Sequence, residues 1–247
     1  MGRAAGTKAT SSKAKGGARA SARGGAAAGA KDAAPAGRLR LSTQQVAKKR
    51  RRIRRRPSQR EMFLDATLTQ SEVMDRGGYP YVVHPLMDGV PRCEPVLLTA
   101  FLDWALRQGV LRHATLLAAP EAMGLPLVAA LSVATGLPYV VIRKRRYDLP
   151  GEEVAYCETG YGENCLHVND CWPDDRVVIV DDVISTGNTL DAILATLRGM
   201  GVPVEGALVF LDKGKRRAAM AKRHKVPIRA MRTVKVDEGK VRIVRRG

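Results

Sequence analysis

The stretch "VVIVDDVISTGNTL", residues 177–190, constrains the fold of this chain more than any other. Its first half is an uninterrupted apolar run with the length of a buried strand, and it ends on two adjacent carboxylates, Asp181 and Asp182. Small and hydroxyl-bearing residues follow, and an apolar pattern with helical spacing comes next. The stretch therefore predicts a core strand, a tight loop and a helix, with paired acids where the strand ends.

Strands and helices alternate along most of the chain. The apolar patterns predict helices over 60–76, 93–109, 125–135, 189–201 and 214–224, and strands over 114–120, 138–142, 175–182, 204–214, 228–236 and 240–244. Gly77-Gly78 is interpreted as the end of the first helix. Two more strands, near 153–157 and 164–168, would form a hairpin. This alternation indicates an α/β fold with a central, mainly parallel sheet flanked by helices.

The excess positive charge lies in the first 60 residues. The chain has 42 Lys and Arg against 24 Asp and Glu, and residues 1–60 contain 18 of the bases and one of the acids. Residues 1–58 are predicted to be a disordered basic tail, because 1–40 consist mainly of Ala, Gly, Ser, Lys and Arg and a dense basic run follows, and 59–247 are predicted to be a single domain. The tail, with eight bases among the nine residues 48–56, could aid solubility, bind nucleic acid or another polyanion non-specifically, or act in targeting.

The longest uncharged segment, residues 122–142, could cross a bilayer by length alone. Gly136 and Pro138 interrupt it, so a buried helix followed by a buried strand is the simpler interpretation, and no membrane association is expected. The four cysteines are scattered without a C-x-x-C pair, which favours reduced thiols, a cytoplasmic location and no metal site made by the protein itself.

The residues after the predicted strand at 175–182 indicate a ligand with two kinds of group. Ser185, Thr186, Gly187, Asn188 and Thr189 offer hydroxyls and backbone N–H groups, which suit a phosphate at the start of a helix. The paired acids before them suit hydroxyl groups or a cation. Ribose 5-phosphate carries both a phosphate and a diol. The alternative is an ordinary strand–turn–helix in which one polar residue caps the helix.

The stretch resembles the signature of type I phosphoribosyltransferases, which bind 5-phosphoribosyl-1-pyrophosphate (PRPP). Asn188 stands where that family usually has glycine. The resemblance continues through "YVVHPLMDGVPRCEP", "PEAMGLPLVAALS", "PYVVIRKRRYDLPGE" and "ETGYG", and covers about 60–245. The chain is most similar to archaeal-type hypoxanthine/guanine phosphoribosyltransferases, a branch close to adenine phosphoribosyltransferases. The resemblance implies a small hood, a mobile flap and a homodimer.

The resemblance also implies roles for individual residues. It assigns the ribose hydroxyls to the paired acids and the rest of PRPP to the residues after three strand ends: Val183, Ile184, Ser185, Thr186, Gly187, Asn188, Thr189, Arg143, Lys144, Glu121, Ala122, Met123 and Gly124. It adds Glu158 and Tyr161 of the flap to Asp181 and Asp182 as catalytic residues. Tyr81, His84 and Lys213 are the candidates for the base. From the residues alone, three alternatives remain: a solvated Glu121, an "RKRR" run (143–146) that is solvated or faces nucleic acid, and an ordinary hairpin at 151–162.

The implied reaction is purine salvage, in which a purine base and PRPP give a nucleoside 5′-monophosphate and pyrophosphate. Mg²⁺ would bind mainly through PRPP oxygens. Hypoxanthine or guanine is favoured as the base, with adenine as the alternative. A protein of another class also fits the sequence, namely a non-catalytic regulator that senses PRPP and binds nucleic acid through its tail.

Overall fold

The computed structural model describes residues 56–159 and 162–247, without the side chains of 157–164. The predicted disordered tail up to residue 55 and the candidate Tyr161 therefore lie outside the described residues. The helices are α1 Gln59–Thr69, α2 Pro85–Asp88, α3 Pro95–Ala105, α4 Gly124–Thr135, α5 Asn188–Gly199 and α6 Arg217–His224. The strands are β1 Glu72–Arg76, β2 Tyr79–Val83, β3 Leu116–Pro120, β4 Tyr139–Ile142, β5 Glu153–Thr159, β6 Gly162–Val168, β7 Val177–Ile184, β8 Val204–Asp212, β9 Ile228–Asp237 and β10 Lys240–Arg246.

A six-stranded sheet in the order β10-β9-β8-β7-β3-β4 forms the centre of the described part. All its neighbouring strands are parallel except β10, which runs antiparallel to β9. The chain proceeds from β3 outward to β4 and from β7 outward to β8, so the strand order reverses between β3 and β7. Ligands of open α/β sheets bind at the carboxyl ends of the strands beside such a reversal. The predicted α/β fold is confirmed, and β7 lies next to the expected site.

Both faces of the sheet are covered. Val178 and Val180 of β7 pack with α1, α3 and α4 on one face. Val177 and Ile179 point to the other face and pack with α5, α6 and the β5–β6 hairpin. Successive residues of a strand face opposite sides, so a strand buried on both sides is apolar at every position. This burial explains the uninterrupted apolar run before Asp181.

The prediction of one helix over 60–76 is wrong in its second half. The helix α1 ends at Thr69, and β1 and β2 form an antiparallel hairpin. Gly77 and Gly78 have φ values of 63° and 82° and make its two-residue turn, rather than ending a helix. A turn with two positive φ angles matches the twist of a hairpin and favours Gly-Gly. The hairpin is the structural counterpart of the expected hood.

The uncharged segment 122–142 forms a helix and a strand, as predicted, but the expectation of a buried strand holds only for Ile142, since the other residues of β4 are half-buried or exposed. The helix α4 ends at Gly136, which is left-handed with φ 72°, and β4 follows on the edge of the sheet. Within the described residues, no helix combines the length and apolar character that a membrane crossing requires.

Candidate active site

The paired acids lie at the carboxyl end of β7, and Asp181 lines a cavity there. Asp181 is only 6% exposed, and one of its carboxylate oxygens accepts a hydrogen bond from the backbone N–H of Asp182 at 2.9 Å. Burial, followed by the charge of Asp182, raises the pKa of Asp181 well above its usual range. Burial also raises the pKa of Asp182. Two poorly solvated carboxyl groups side by side provide strong acceptors for ligand hydroxyls or a cation.

The loop after the acids lines the same cavity. The cavity has a volume of about 160 Å³ and is lined by Asp181, Val183, Ile184, Ser185, Thr186, Gly187, Thr189 and Leu190. Gly187 caps the start of α5 with φ 81°, and a Cβ there would lie 2.8 Å from Cε of Met220. The backbone N–H groups at the start of α5 can therefore face an anion with the helix dipole behind them. The structure thus brings the acid predicted to bind a diol close to the loop predicted to bind a phosphate.

The other two predicted strand ends are adjacent to each other. Arg143 Nε lies 2.7 Å from a carboxylate oxygen of Glu121, and the backbone N–H of Lys144 donates to the other oxygen at 2.7 Å. The side chain of Glu121 is 19% exposed, so it is a paired acid rather than a solvated one. Because β3 pairs with β7, the segment Glu121–Gly124 begins one strand away from Asp181.

The β1–β2 hairpin contributes two aromatic side chains, Tyr79 and Tyr81, beside Lys213. Tyr79 was not among the residues predicted from the sequence. The ammonium of Lys213 lies 4.9 Å from the ring centre of Tyr79 and 5.4 Å from that of Tyr81. The Tyr79 hydroxyl is 2.6 Å from Ser185 Oγ, so the hairpin reaches the phosphate loop. Tyr79 and Tyr81 share one face of β2 by the two-residue period of a strand, which is the signal that could have identified Tyr79.

Tyr81 is held by an acid of α2. Its hydroxyl donates a hydrogen bond to Asp88, and that bond, followed by burial, raises the pKa of Tyr81 to about 12. Asp88 was also absent from the predicted site. Since Tyr81 stays protonated throughout the physiological range, its hydroxyl is a donor anchored to α2 and its ring is the surface that faces Lys213.

His84 does not fit its predicted role in binding a base. Its side chain is 0% exposed, stacks on Phe210 with 5.0 Å between ring centres, and caps α2 by accepting from the N–H of Leu86 at 3.2 Å. Its other ring nitrogen lies 3.2 Å from Thr67 Oγ1. Burial lowers the pKa of His84 to about 4, so it is neutral at physiological pH. A neutral, enclosed imidazole with both nitrogens engaged is a structural residue.

The predicted hairpin with strands near 153–157 and 164–168 is formed by β5 and β6. The two strands pair antiparallel, with Glu153 opposite Val168 at one end and Thr159 opposite Gly162 at the other. Glu158 lies near its tip, opposite Glu163. The side chain of Glu158 and the whole of Tyr161 lie outside the described residues, so their catalytic roles stay predictions.

The reversal of strand order, the acid pair at the end of β7 and the loop of small residues before α5 are the features of the type I phosphoribosyltransferase class. Residues 98–230 match the family model described as "Phosphoribosyl transferase domain". The chain is 39% identical over 183 residues to the hypoxanthine/guanine phosphoribosyltransferase of Methanocaldococcus jannaschii, an alignment that covers 74% of this chain and 100% of the relative. It is also 39% identical over 180 residues to the protein of the same name from Methanothermobacter thermautotrophicus, covering 73% and 93%. The chain belongs to the phosphoribosyl transferase family.

Solved structures with the same fold carry the name of adenine phosphoribosyltransferases. The one from Thermoanaerobacter pseudethanolicus aligns with a TM-score of 0.52 at 22% identity, covering 70% of this chain and 99% of that one. The one from Trypanosoma brucei, solved with AMP, pyrophosphate and ribose-5-phosphate, aligns with a TM-score of 0.56 at 17% identity, covering 74% and 84%. At these identities the similarity establishes the fold.

Proposed function

We propose that the chain transfers the 5-phosphoribosyl group of PRPP to a purine base, giving a nucleoside 5′-monophosphate and pyrophosphate. The observation that carries this proposal is the cavity at the end of β7, which is lined both by Asp181 and by residues of the loop 185–189. One ligand must satisfy buried carboxylates and an anion site a short distance apart. A ribose 5-phosphate group does so with its 2′ and 3′ hydroxyls and its phosphate.

The remaining polar groups suit the departure of pyrophosphate. As the bond between C1′ and the pyrophosphate oxygen breaks, negative charge grows on the leaving group and positive charge on the ribose. Arg143 and Lys144 supply cations for the leaving group, and Glu121 fixes the side chain of Arg143 through their 2.7 Å ion pair. The carboxylates of Asp181 and Asp182 hold the sugar in place and favour the positive charge. The residues of this chain therefore act mainly by positioning and by electrostatic stabilisation.

Mg²⁺ fits this site as a partner of PRPP. Within the described residues, no group of three His, Cys, Asp or Glu side chains lies close enough to hold a metal ion. Asp181 and Asp182 offer hard oxygen atoms beside the position of the ribose, where they can complete the coordination of an ion that PRPP carries. When bound, Mg²⁺ neutralises charge on the pyrophosphate.

We propose a 6-oxopurine, hypoxanthine or guanine, as the base. The rings of Tyr79 and Tyr81 offer apolar surface for a purine, and Lys213 lies over both rings. A lysine ammonium is a donor only, so it pairs with the 6-oxo oxygen of hypoxanthine or guanine and repels the 6-amino group of adenine. The names of the archaeal relatives support the same choice.

Incubation of the protein with PRPP, Mg²⁺ and one base at a time tests the proposal. Hypoxanthine and guanine are expected to release pyrophosphate and to yield IMP and GMP, with adenine at least about tenfold poorer in kcat/KM, the effect of about 1.4 kcal/mol. Binding of PRPP without turnover on any purine would overturn the enzymatic function and support a PRPP-sensing regulator. A preference for adenine would overturn the assignment of the base.

A variant of Lys213 provides the control for the choice of base. The substitution Lys213→Met keeps an unbranched side chain out to Cε and removes the ammonium. A charged hydrogen bond contributes about 1.5–3 kcal/mol, so kcat/KM for hypoxanthine is expected to fall about 10- to 150-fold while binding of PRPP changes little.

We further propose that residues 1–58 are an appendage to the catalytic domain 59–247, which works in the cytoplasm as a homodimer. Deletion of 1–58 is expected to leave kcat and KM within about twofold, because the proposed site lies wholly after residue 78. The deletion should abolish a gel shift with duplex DNA or RNA that the full chain gives at low salt, since the tail carries most of the excess charge. A collapse of turnover would show that the tail takes part in the site.

A further inference from the structure

The loop that lines the proposed phosphate site is supported from behind by α6 and the turn before it. The backbone N–H of Lys213 donates to the carbonyl oxygen of Ile184 at 2.9 Å. Gly187 packs closely on α6, since a Cβ at position 187 would lie 2.8 Å from the terminal methyl group of Met220, which would have to shift. The position of the loop therefore depends on α6 as well as on β7 and α5.

Arg216, in the turn before α6, contacts the loop through the side chain of Asn188. Arg216, the residue before α6, donates from its guanidinium to the side-chain oxygen of Asn188 at 3.2 Å. Asn188 is the position where the family pattern usually has glycine, and glycine could not accept this bond. The departure from the pattern is therefore matched by a specific partner on a neighbouring element.

The positive charge of Arg216 lies beside the loop, where it would attract a bound anion. Arg216, Arg223 and Asn188 line a cavity of about 300 Å³ on the α6 side of the loop, together with Thr186 and Gly187, which also line the proposed phosphate cavity. Arg223 forms an ion pair with Asp191, whereas Arg216 contacts the neutral amide of Asn188. A cation beside the start of α5 opposes the helix dipole, and an anion bound at the loop would reverse that penalty.

We propose that Arg216 is a positioning residue for the 5′-phosphate of PRPP. It fixes the first residue of α5 through Asn188, and it adds a positive charge behind the loop that receives the phosphate. This inference rests on the proposed function of the site. It assigns a role in binding the 5′-phosphate to the segment that begins α6, which lies outside the signature stretch.

Inhibition by two fragments of PRPP tests the inference. In the variant Arg216→Ala, the inhibition constant of ribose 5-phosphate and the KM for PRPP are expected to rise about fivefold to tenfold, the effect of losing one charge interaction near a protein surface. The inhibition constant of pyrophosphate and kcat should stay within about twofold. Lys222→Ala is the matched control, since Lys222 is an exposed cation of the same helix that lines neither cavity.

Two more variants separate position from charge. Arg216→Lys keeps the charge and should recover part of the affinity for ribose 5-phosphate. Asn188→Gly should weaken ribose 5-phosphate less than Arg216→Ala does, and adding it to Arg216→Ala should cause little further loss. Equal effects of Arg216→Ala on ribose 5-phosphate and pyrophosphate, or an equal effect of Lys222→Ala, would overturn the inference. Activity of the unaltered protein with PRPP tests the proposed function separately.

Discussion

Replacing Asp181 with asparagine is expected to weaken PRPP binding about 10- to 150-fold and to raise the melting temperature of the ligand-free protein. The loss follows because hydrogen bonds to a charged group contribute about 1.5–3 kcal/mol each. The gain follows because Asp181 is 6% exposed and lies next to a second acid, Asp182. We therefore expect Asp181 to lower the stability of the ligand-free protein and to increase its affinity for PRPP.

The dependence of this gain on pH follows from the raised pKa of Asp181. Above that pKa the carboxyl is charged in both the folded and the unfolded state, and burial makes the charge unfavourable in the folded state. As the pH falls through the raised pKa, the folded protein takes up a proton before the unfolded chain does, so wild-type stability increases. The amide introduced by Asp181→Asn is neutral at every pH, so the advantage of the variant should disappear near the usual pKa of aspartate.

Melting curves from pH 8 down to about pH 4, near the usual pKa of aspartate, and calorimetric titration with PRPP measure both effects. The control is Asp237→Asn, because Asp237 is exposed and forms a surface ion pair with Arg242 at 3.5 Å, worth about 0–1 kcal/mol. A variant of Asp181 that binds PRPP normally and melts many degrees lower would show that the acid is structural.

The sequence predicted the positions of the residues proposed to bind PRPP better than those of the residues proposed to bind the base, and the reason is physical. Asp181 and the loop up to Thr189 are contiguous in sequence, so a single strand–loop–helix pattern predicts that they lie close together in space. Glu121 and Arg143 follow parallel strands, whose carboxyl ends meet at one edge of the sheet. These placements follow from rules about strands and their ends, without knowledge of tertiary packing.

The base side depends on contacts between residues far apart in the chain. Tyr79 reaches Lys213 and Ser185 only because 72–83 folds as a hairpin instead of continuing α1. His84, which directly follows β2, points into the core and caps α2 instead of facing the proposed base site. Apolar spacing at 60–76 is compatible with a helix, and only the turn at Gly77-Gly78 favours the hairpin, so the sequence pattern misjudged this region.

A buried ion pair joins α1 to the central sheet. Removal of its acid, Asp65, is expected to lower the stability of the protein more than any other single substitution described above. Asp65 of α1 accepts from Arg232 of β9 at 2.5 Å and from Arg246 of β10 at 2.8 Å. Arg232 is 1% exposed, so Asp65→Ala would leave a buried cation without its acid. Such a loss costs about 3–5 kcal/mol, which corresponds to a fall of about 6–20 °C in Tm for a protein of this size.

The double variant Asp65→Ala/Arg232→Met distinguishes the unpaired charge from a simple loss of contacts. Because an apolar replacement of a buried ion pair is often close to neutral, the double variant should recover most of the Tm lost by Asp65→Ala. Asp103→Ala, which removes an exposed 3.0 Å ion pair between Asp103 and Arg60, should change Tm by no more than a few degrees. Since α1 leads directly into the hairpin with Tyr79 and Tyr81, Asp65→Ala should raise the KM for hypoxanthine more than the KM for PRPP at temperatures below its Tm. Equal increases in both constants would mean that α1 supports the whole domain rather than the base side of the site.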